Sequence, residues 1–450
     1  MSAARFDPSG PVRGSLRPPP DKSISHRAAL LAAMADGDSS VTGYLDSADT
    51  RSTLAAIEGL GAAVEVEGSD VPGAIGVRVT GIGLRGPGER AGAEPLPIDV
   101  GNAGTLLRLL PGWLAGQEAG EWTLDGDESI RRRPVDRVVL PLREMGANVR
   151  ARDERLPPLS VKGSRLHGIS YRLPVASAQV KSCVLLAGLG AEGETEVIEP
   201  APSRDHTERM LAAAGARVTS ETPGPGLAVR GELPPRRISL RPVDRLEPVG
   251  FDVPGDFSSA AFFLVAAIVV PRSRVRLEGV GLNPTRAGLL AILERMGASL
   301  EVEEAAAVGG EPQGTIRARA SKLNGTRVNG DEVALAIDEL PLVALAACFA
   351  EGETVIAEAG ELRHKESDRI AAVCEGLAAL GGDVEPTDDG IVIRGSGGLR
   401  GGGLNAQGDH RMAMLGAVAG IASREGVEVH GFEAVEVSYP GFERDLASLA

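Results

Sequence analysis

Internal repetition restricts the fold of this 450-residue chain more than any other feature of its sequence. One repeated block is a helical pattern that ends in a small-residue turn with glycine and then enters an alternating, strand-like pattern. Because glycine readily takes the left-handed conformation that closes a helix, each such turn predicts a helix end. The copies cover residues 56–64, 142–149, 211–218, 293–300 and 377–384.

A second block is an apolar helix, rich in alanine and leucine, that is opened by a polar loop. Its copies open at Lys22, Asn102, Ser177, Asp256, Asp338 and Asp409. After several of them, a short strand pattern and a second polar loop lead into the first block. Together the blocks predict six units of strand and two helices, each of roughly 65 to 85 residues and too small to fold alone.

Six such units exceed one comfortable hydrophobic core, so we predict an α/β protein of two lobes with three units each. The Pro- and Arg-rich stretch at residues 236–254 is the predicted crossover. The first unit lacks its opening strand unless residues before Pro18 supply it, and the sixth is cut short at Leu449. The alternative is a generic α/β protein in which glycine-alanine turns recur without a true repeat.

Composition narrows the class of protein. The hydrophobic fraction of 43% and charged fraction of 24% are those of an ordinary soluble chain, and the N-terminus has no signal-peptide pattern. The longest apolar run, residues 260–270, predicts a buried helix because it is too short to span a bilayer. Three cysteines without metal-ligand or disulfide spacing favour a reducing cytoplasm: Cys183, Cys348 and Cys374. The net charge of −15 disfavours nucleic-acid binding.

The helix openings are candidate anion sites, because a helix N-terminus presents unpaired N–H groups and a partial positive charge. Lys22, Arg108 and Arg411 are not explained by capping, since a cation opposes the dipole at a helix start. We therefore expect a negatively charged group close to each of these cations. For Asp256 and Ser258, ordinary N-capping is the better interpretation.

Arginines also occupy equivalent second loops, at residues 131–134, 203–206 and 363–369, where the alternative is an ordinary solvated surface. Guanidinium groups hold carboxylates and phosphates but cannot act as bases. Asp338 and Glu366 are therefore the acid or base candidates, although either could be a helix cap. Walker, dinucleotide, zinc-helix and nucleophile-elbow motifs are not found. The residues predict a two-lobed enzyme that handles small anions with neither metal nor cofactor.

Several of these segments stand in a recognisable order. They are DKSISHR at 21–27, GNAGT at 101–105 with Arg108, Arg133-Pro134, SAQ at 177–179, KESDR at 365–369 and DHRM at 409–412. Over nearly the whole chain they resemble the 5-enolpyruvylshikimate-3-phosphate synthases, an enolpyruvyl transferase family. The resemblance implies a two-lobed inside-out α/β barrel that closes around its substrates. One lobe would be residues 22–245 and the other residues 1–21 plus 246–450, with two chain crossovers.

The resemblance also implies a reaction. The enolpyruvyl group of phosphoenolpyruvate would be transferred to the 5-hydroxyl of shikimate 3-phosphate, with release of phosphate, on the pathway to chorismate and the aromatic amino acids. The implied catalytic residues are Lys22, Asp338 and Glu366. The implied contacts of shikimate 3-phosphate are Lys22, Ser23, Arg27, Ser177, Ala178, Gln179, Arg204, Asp338 and Lys365. Those of phosphoenolpyruvate are Lys22, Gly104, Arg133, Gln179, Arg369 and Arg411. A cytoplasmic monomer without cofactor or metal is expected.

The chain departs from the family pattern at a few positions. Ala178 replaces a serine that many members have, and residues 437–440 lack a lysine that one branch places before this segment. These departures and Arg204 resemble the branch that includes glyphosate-tolerant enzymes. Gly104, however, is the residue typical of glyphosate-sensitive members, so inhibition by glyphosate is expected.

Two other functions are weighed against this one. A related enolpyruvyl transferase acts on UDP-N-acetylglucosamine, but it uses a cysteine in the loop near Arg131, where this sequence has none. It also has Lys-Asn where this chain has Lys22-Ser23. A non-catalytic repeat protein that clamps nucleic acid is disfavoured by the acidic charge. A degenerate member that binds without reacting is disfavoured by the presence of Lys22, Asp338 and Glu366.

Overall fold

The computed structural model describes residues 3–89, 92, 94–221, 236–305, 307 and 309–450. Its contacts divide the chain into two compact units. One contains Pro20–Val253 and Ala307–Glu311, and the other contains Met1–Pro19, Pro254–Ala306 and Pro312–Ala450. Each unit encloses its own apolar core. Within the described residues, no helix is long and apolar enough to cross a membrane.

Each repeat is built around a mixed sheet. In five of the six described sheets an opening strand pairs in parallel with a second strand, which pairs antiparallel with the fourth strand, which pairs antiparallel with the third. A helix precedes the second strand of each repeat, and in these five another helical segment connects the second strand to the third. The second repeat shows the pattern, with Leu96–Asp99, Gly104–Ala115, Glu121–Asp125, Asp136–Glu144, Asn148–Arg152 and Leu156–Lys162 in order.

The unit that contains Pro20–Val253 has three repeats. The first comprises Lys22–Met34, Asp38–Leu45, Ala48–Gly59, Ala63–Glu67 and Ala74–Thr80. A short helix at Gly86–Glu89 leads into the second repeat, whose second loop contains a 3-10 turn at Ile130–Arg132. The third comprises Ser170–Arg172, Ala178–Gly188, Thr195–Glu199, His206–Ala213, Arg217–Glu221 and Arg236–Arg241.

The other unit repeats the arrangement. Its fourth repeat comprises Phe257–Val269, Arg274–Gly281, Gly288–Arg295, Ser299–Glu304 and Gln313–Arg319. The fifth comprises Arg327–Val328, Asp331–Ala336, Leu340–Cys348, Glu351–Ile356, Gly360–His364, Arg369–Ala379, Asp383–Pro386 and Ile391–Ser396. The sixth comprises Gly402–Asn405, His410–Ala422, Val427–His430, Phe432–Val437 and Phe442–Leu449.

The missing strands come from distant parts of the chain. The first repeat takes its opening strand from Gly250–Asp252, which pairs in parallel with Asp38–Leu45. The expectation that residues before Pro18 could supply it is therefore wrong. Those residues serve other repeats: Arg13–Leu16 opens the sheet of the fourth, and Ala3–Phe6 completes the truncated sixth by pairing antiparallel with Val427–His430.

The glycine turns lie where the sequence predicts them. Five helices end two residues before a glycine with φ between 84° and 106°. Side chains with a Cβ rarely take this conformation, so glycine ends the helix and directs the chain into the next strand. These glycines are Gly61, Gly146, Gly215, Gly297 and Gly381.

The apolar helices form the interior of each unit. The helix Phe257–Val269 is buried along its length, as the sequence predicts, and packs against Leu340–Cys348 and His410–Ala422. In the other unit Gly104–Ala115 packs closely on Ala178–Gly188. Because these helices are surrounded by protein, only their ends can present polar groups to a ligand.

Candidate active site

Lys22 begins the first apolar helix and has a carboxylate partner. Asp21 caps this helix by accepting a hydrogen bond of 3.0 Å from the backbone N–H of Ile24. The Nζ atom of Lys22 lies 3.0 Å from Oδ2 of Asp49, whose side chain is 6% exposed. Burial raises the pKa of Asp49, but the charges of Lys22 and others lower it more, so the net shift is downward. The negative group expected beside Lys22 is therefore at least partly the protein's own Asp49.

Arg27 lies one turn further along the same helix and is almost fully buried. Its Nε donates to Oγ1 of Thr207 at 2.7 Å, and its Nη2 donates to Oγ of Ser182 at 2.9 Å. Its Nη1 donates to the backbone oxygen of Ser23 at 2.9 Å. Burial lowers the pKa of Arg27 to about 10, which leaves it charged at neutral pH. A cation held in this way keeps a fixed direction, which suits recognition of an anion.

A second group of side chains surrounds the start of helix Gly104–Ala115. The Nη1 of Arg108 donates to Oε1 of Gln179 at 3.0 Å, and Nε2 of Gln179 donates to Oγ1 of Thr105 at 3.1 Å. The Nη2 of Arg133 donates to Oδ1 of Asn102 at 3.0 Å. The positive charge of Arg133 also lowers the pKa of Asp49, after the larger effects of burial, Lys22 and His26. These groups and the Lys22 pair therefore belong to one neighbourhood.

Gly104 leaves room for these arginines. A Cβ atom built on Gly104 would lie 2.6 Å from Nη1 of Arg133 and 3.3 Å from Nη1 of Arg108. Real Cβ contacts are almost never this short, so a side chain here would displace Arg133. The small residue at 104 is therefore part of the geometry of the cationic group.

The remaining predicted residues of this unit lie at the helix Ala178–Gly188 and in the following loop. Ser177 is the N-cap of the helix, with its Oγ accepting from the backbone N–H of Val180 at 3.4 Å. A hydroxyl that accepts can still donate its hydrogen to a phosphate. Ala178 begins the helix, and Arg204 is half-buried, close enough to Arg27 for its charge to lower that pKa.

Several arginines of the second loops pair with carboxylates close to them in sequence. Arg131 pairs with Asp125 at 2.8 Å and Arg132 with Glu128 at 3.2 Å, and both arginines are more than half exposed. Arg363 pairs with Asp368 at 2.8 Å. For Arg131 and Arg132, the ordinary surface interpretation is the one that the structure supports, whereas Arg363 also donates to the backbone oxygens of Asp388 and Thr387.

Arg369 is the centre of the predicted residues in the other unit. Its side chain is 1% exposed, and its Nε donates to Oδ2 of the buried Asp409 at 2.8 Å. Its Nη2 donates to Oε2 of Glu366 at 2.6 Å, and its Nη1 donates to Oδ1 of Asp338 at 3.1 Å. Burial alone would lower the pKa of Arg369, but the carboxylates of Glu366, Asp409 and Asp338 raise it above its ordinary value. Both acid or base candidates thus contact one cation.

Two further cations border Asp338. The Nζ of Lys365 lies 3.6 Å from Oδ1 of Asp338, and Nη2 of Arg411 lies 3.8 Å from Oδ2. Arg411 also donates to the backbone oxygen of Asp338 at 3.2 Å, and its Nη1 lies 3.7 Å from Oε1 of the buried Glu339. As at Lys22, the protein itself supplies negative groups next to a cation at a helix start.

Asp338 and Glu366 are not helix caps. The cap of Arg369–Ala379 is Asp368, whose Oδ1 accepts from the backbone N–H of Ala371 at 3.1 Å. Glu339, rather than Asp338, precedes Leu340–Cys348. Burial raises the pKa of Glu366, but Arg369 and other cations lower it well below its ordinary value, so this carboxylate is ionised at neutral pH.

The capping interpretation is correct for Asp256. Its Oδ1 accepts a hydrogen bond of 2.9 Å from the backbone N–H of Ser258 at the start of the fourth apolar helix. The hydroxyl of Ser258 donates to Glu339, which adds a second contact to the carboxylate beside Arg411.

The sequence did not identify the partners that orient these cations. Nothing in the sequence marks Asp49 as the partner of Lys22, because an acidic residue in the first turn of a helix is common. Thr207 and Ser182 are equally ordinary in sequence. Asp409 opens a predicted helix shortly before Arg411, yet nothing local in the sequence indicates that its carboxylate holds Arg369.

Comparison with known proteins places this arrangement in a family. A model of EPSP synthase (3-phosphoshikimate 1-carboxyvinyltransferase) matches residues 6–446. The chain belongs to the EPSP synthase family. The predicted fold is confirmed with it: six strand-and-helix units, three to a lobe, in the two-lobed inside-out α/β barrel of the enolpyruvyl transferases.

Individual relatives agree with the family match. A 3-phosphoshikimate 1-carboxyvinyltransferase of Thermus thermophilus is 49% identical over 454 residues, covering 100% of this chain and 99% of the relative. One of Desulfitobacterium hafniense is 47% identical over 440 residues, covering 97% of this chain and 95% of the relative. A solved EPSP synthase from Acinetobacter baumannii is 41% identical, with a TM-score of 0.84 and coverage of 100% of this chain and 98% of that chain.

Proposed function

We propose that this protein transfers the enolpyruvyl group of phosphoenolpyruvate to the 5-hydroxyl of shikimate 3-phosphate and releases phosphate, a step toward chorismate. The observation that carries the proposal is the contact of Arg369 with both Asp338 and Glu366. It joins a fixed cation to two carboxylates that can exchange protons, which addition and elimination on an anionic substrate both require.

The substrates are assigned to the residues described above. Shikimate 3-phosphate is held by Lys22, Ser23, Arg27, Ser177, Ala178, Gln179, Arg204, Asp338 and Lys365. Phosphoenolpyruvate is held by Lys22, Gly104, Arg133, Gln179, Arg369 and Arg411. The two substrates carry two phosphates and two carboxylates, so cations fixed by their own hydrogen bonds stabilise them without reorganising. Ala178 contributes backbone only, since it lacks the hydroxyl of a serine.

In the proposed reaction, Asp338 and Glu366 take up and release the protons that move during addition and elimination. In the addition step the 5-hydroxyl oxygen bonds to C2 of phosphoenolpyruvate, its proton passes to Asp338, and C3 takes a proton from Glu366. In the elimination step C3 returns a proton to Glu366, the bond from C2 to the phosphate oxygen breaks, and the proton on Asp338 leaves with phosphate. Lys22 stabilises negative charge on the departing phosphate.

Substrate binding prepares Glu366 for this role. In the free protein the positive charge of Arg369 opposes burial and holds the pKa of Glu366 low, so it carries no proton. A substrate carboxylate on Arg369 would compete for the guanidinium and add a like charge, and both effects raise the pKa of Glu366. The acid needed for protonation of C3 would then form only in the complex.

The direct test is phosphate release by the purified protein with phosphoenolpyruvate and shikimate 3-phosphate. Release is expected with shikimate 3-phosphate and not with UDP-N-acetylglucosamine. The Lys22→Ala variant should release phosphate about 10² to 10³ times more slowly, because one fixed charge beside the leaving group is lost. Release with UDP-N-acetylglucosamine alone, or with neither acceptor, would contradict the proposal.

A methyl group at position 104 should damage the phosphoenolpyruvate site selectively. In Gly104→Ala the displaced Arg133 loses a charge-assisted contact, so the KM for phosphoenolpyruvate should rise about tenfold or more. Glyphosate should inhibit the unsubstituted protein in competition with phosphoenolpyruvate, and more weakly in the variant. Steady-state kinetics with both substrates measure these effects.

Gly59→Ala is the matched control for this change, because a Cβ there meets no atom within 4 Å. It should leave both KM values unchanged. An unchanged KM for phosphoenolpyruvate in Gly104→Ala would show that Arg133 does not contact this substrate. If the unsubstituted protein tolerates glyphosate, the prediction of sensitivity based on Gly104 is wrong.

The same proposal includes a cytoplasmic monomer that needs no cofactor or metal and binds no nucleic acid. The net charge of −15 supports the last point, because nucleic-acid binding needs a basic surface. Light scattering should give a mass near 46.4 kDa, and twice that mass would contradict the monomer.

A further inference from the structure

A buried ion cluster lies beneath the residues assigned to shikimate 3-phosphate. The Nζ of Lys181 lies 3.1 Å from Oε1 of Glu199 and 2.7 Å from Oε1 of Glu208. The side chains of Lys181 and Glu199 are 0% exposed, and that of Glu208 is 6% exposed. The Nζ of Lys181 also donates a hydrogen bond of 3.3 Å to the backbone oxygen of Ser203. The ammonium group therefore lies within 3.3 Å of three oxygen atoms, two of which belong to carboxylates.

The acceptors come from three successive pieces of chain. Glu199 ends the strand Thr195–Glu199, Ser203 lies in the following loop, and Glu208 lies in the helix His206–Ala213. The hydroxyl of Ser203 donates to Glu199, which closes the loop on itself. Lys181 therefore fixes the loop at both ends and in the middle. Arg204 follows Ser203 in this loop and is half-buried.

The cluster also borders Arg27. Ser182 follows Lys181, Thr207 precedes Glu208, and these two hydroxyls lie 2.6 Å apart. Both accept hydrogen bonds from the guanidinium of Arg27. The spacing of helices Ala178–Gly188 and His206–Ala213 is thus set by the ion pair between Lys181 and Glu208 on one side and by Arg27 on the other.

We infer that Lys181, with Glu199 and Glu208, is a positioning residue for the binding of shikimate 3-phosphate, acting through Arg204 and Arg27. The inference rests on the proposed function, since it assigns these arginines to that substrate. A buried ion cluster is weak evidence for stability, because its desolvation cost offsets its attraction. Its effect here is to hold two cations in place, while the residues assigned to phosphoenolpyruvate other than Gln179 and Lys22 lie on other segments.

Burial raises the pKa of Glu199, although Lys181 and the hydroxyl of Ser203 oppose it. Removal of Lys181 alone would therefore leave an unstable pair of carboxylates. The test uses two variants, Lys181→Met and Lys181→Met/Glu199→Gln/Glu208→Gln. The second, charge-free variant removes all three charges of the cluster, and Arg236, which lies 3.8 Å from Glu199, keeps Asp205 at 3.8 Å. Kinetics in both substrates and calorimetric titration with shikimate 3-phosphate are measured on each folded variant.

In both variants the KM and Kd for shikimate 3-phosphate should rise about tenfold or more, the effect of losing one charge-assisted hydrogen bond. The kcat and the KM for phosphoenolpyruvate should stay as in the unsubstituted protein. Val184→Ala is the matched control, because it removes buried methyl groups from the same helix and leaves every charged and hydroxyl group of the cluster in place. It should lower the melting temperature and leave both KM values unchanged.

A folded charge-free variant with normal affinity for shikimate 3-phosphate would overturn the inference, as would equal losses in both KM values and kcat. Turnover by the unsubstituted protein is measured first. Its absence would contradict the proposed function and this inference with it, whereas normal turnover with unchanged affinity in the charge-free variant contradicts this inference alone.

Discussion

Glu366→Gln is expected to lower kcat about 10² to 10⁴ times, the range for removal of a general acid or base. Glutamine has the same shape and can still accept the hydrogen bond of 2.6 Å from Nη2 of Arg369, so the substitution removes proton exchange while preserving the contact. The KM values should therefore change far less than kcat. Phosphate release under saturating concentrations of both substrates measures the effect.

The exchange of hydrogen at C3 separates Glu366 from Asp338. In heavy water the unsubstituted protein should place deuterium in the methylene of the product, because addition at C3 is followed by loss of a proton. Glu366→Gln should abolish this incorporation under single-turnover conditions. If Asp338→Asn abolishes it and Glu366→Gln does not, the two roles are reversed.

Glu375→Gln is the matched control for this prediction. Glu375 lies on the same helix as Arg369 and accepts a hydrogen bond of 3.2 Å from Gln407. Its exposed carboxylate contacts none of the residues assigned to substrate, so kcat should not change. Normal turnover in Glu366→Gln would show that this carboxylate has no part in proton transfer, and loss in both variants would indicate general damage to the helix.

The repeats could be predicted from sequence because their signals are local. A glycine such as Gly146 or Gly381 closes a helix through its own backbone conformation, and the alternation after it belongs to the strand that follows. The origin of the opening strands could not be predicted in this way. Gly250–Asp252 and Arg13–Leu16 pair with strands more than 200 residues away, and no local pattern specifies a distant partner.

In the candidate site, the sequence predicts the cations but not which carboxylates pair with them. Lys22 and Arg411 are conspicuous because a cation at a helix start needs a negative neighbour, so sequence alone marks them. Which neighbour each has depends on side-chain direction and on packing between elements. Asp49 belongs to another helix than Lys22, and Asp409 lies 40 residues from Arg369, so both partners appear only in the folded chain.

Arg369→Met is expected to destabilise the protein by about 3–5 kcal/mol, the cost of leaving a buried ion without its partner. Asp409 is 0% exposed and its contact with Nε of Arg369 is 2.8 Å, so water cannot replace the lost guanidinium. The free energy of unfolding in urea at neutral pH measures the loss. Arg394→Met is the control, because Arg394 is 46% exposed and its pairs with Asp383 and Glu385 are solvated, so a much smaller change is expected.

The pH dependence of the stability lost in Arg369→Met distinguishes the effect of lost charge from the effect of lost packing. Burial raises the pKa of Asp409 and Glu366, but Arg369 lowers both below their ordinary values. In the unsubstituted protein these two carboxylates therefore stabilise the folded state fully above their unfolded pKa of roughly 4. This stabilisation is lost as the pH falls through their lower folded pKa values. In Arg369→Met, burial is no longer opposed by the guanidinium, so these pKa values rise and the variant becomes more stable as pH falls below neutral. The difference between the proteins should shrink steadily toward pH 5, and a constant difference would show that packing alone accounts for the loss.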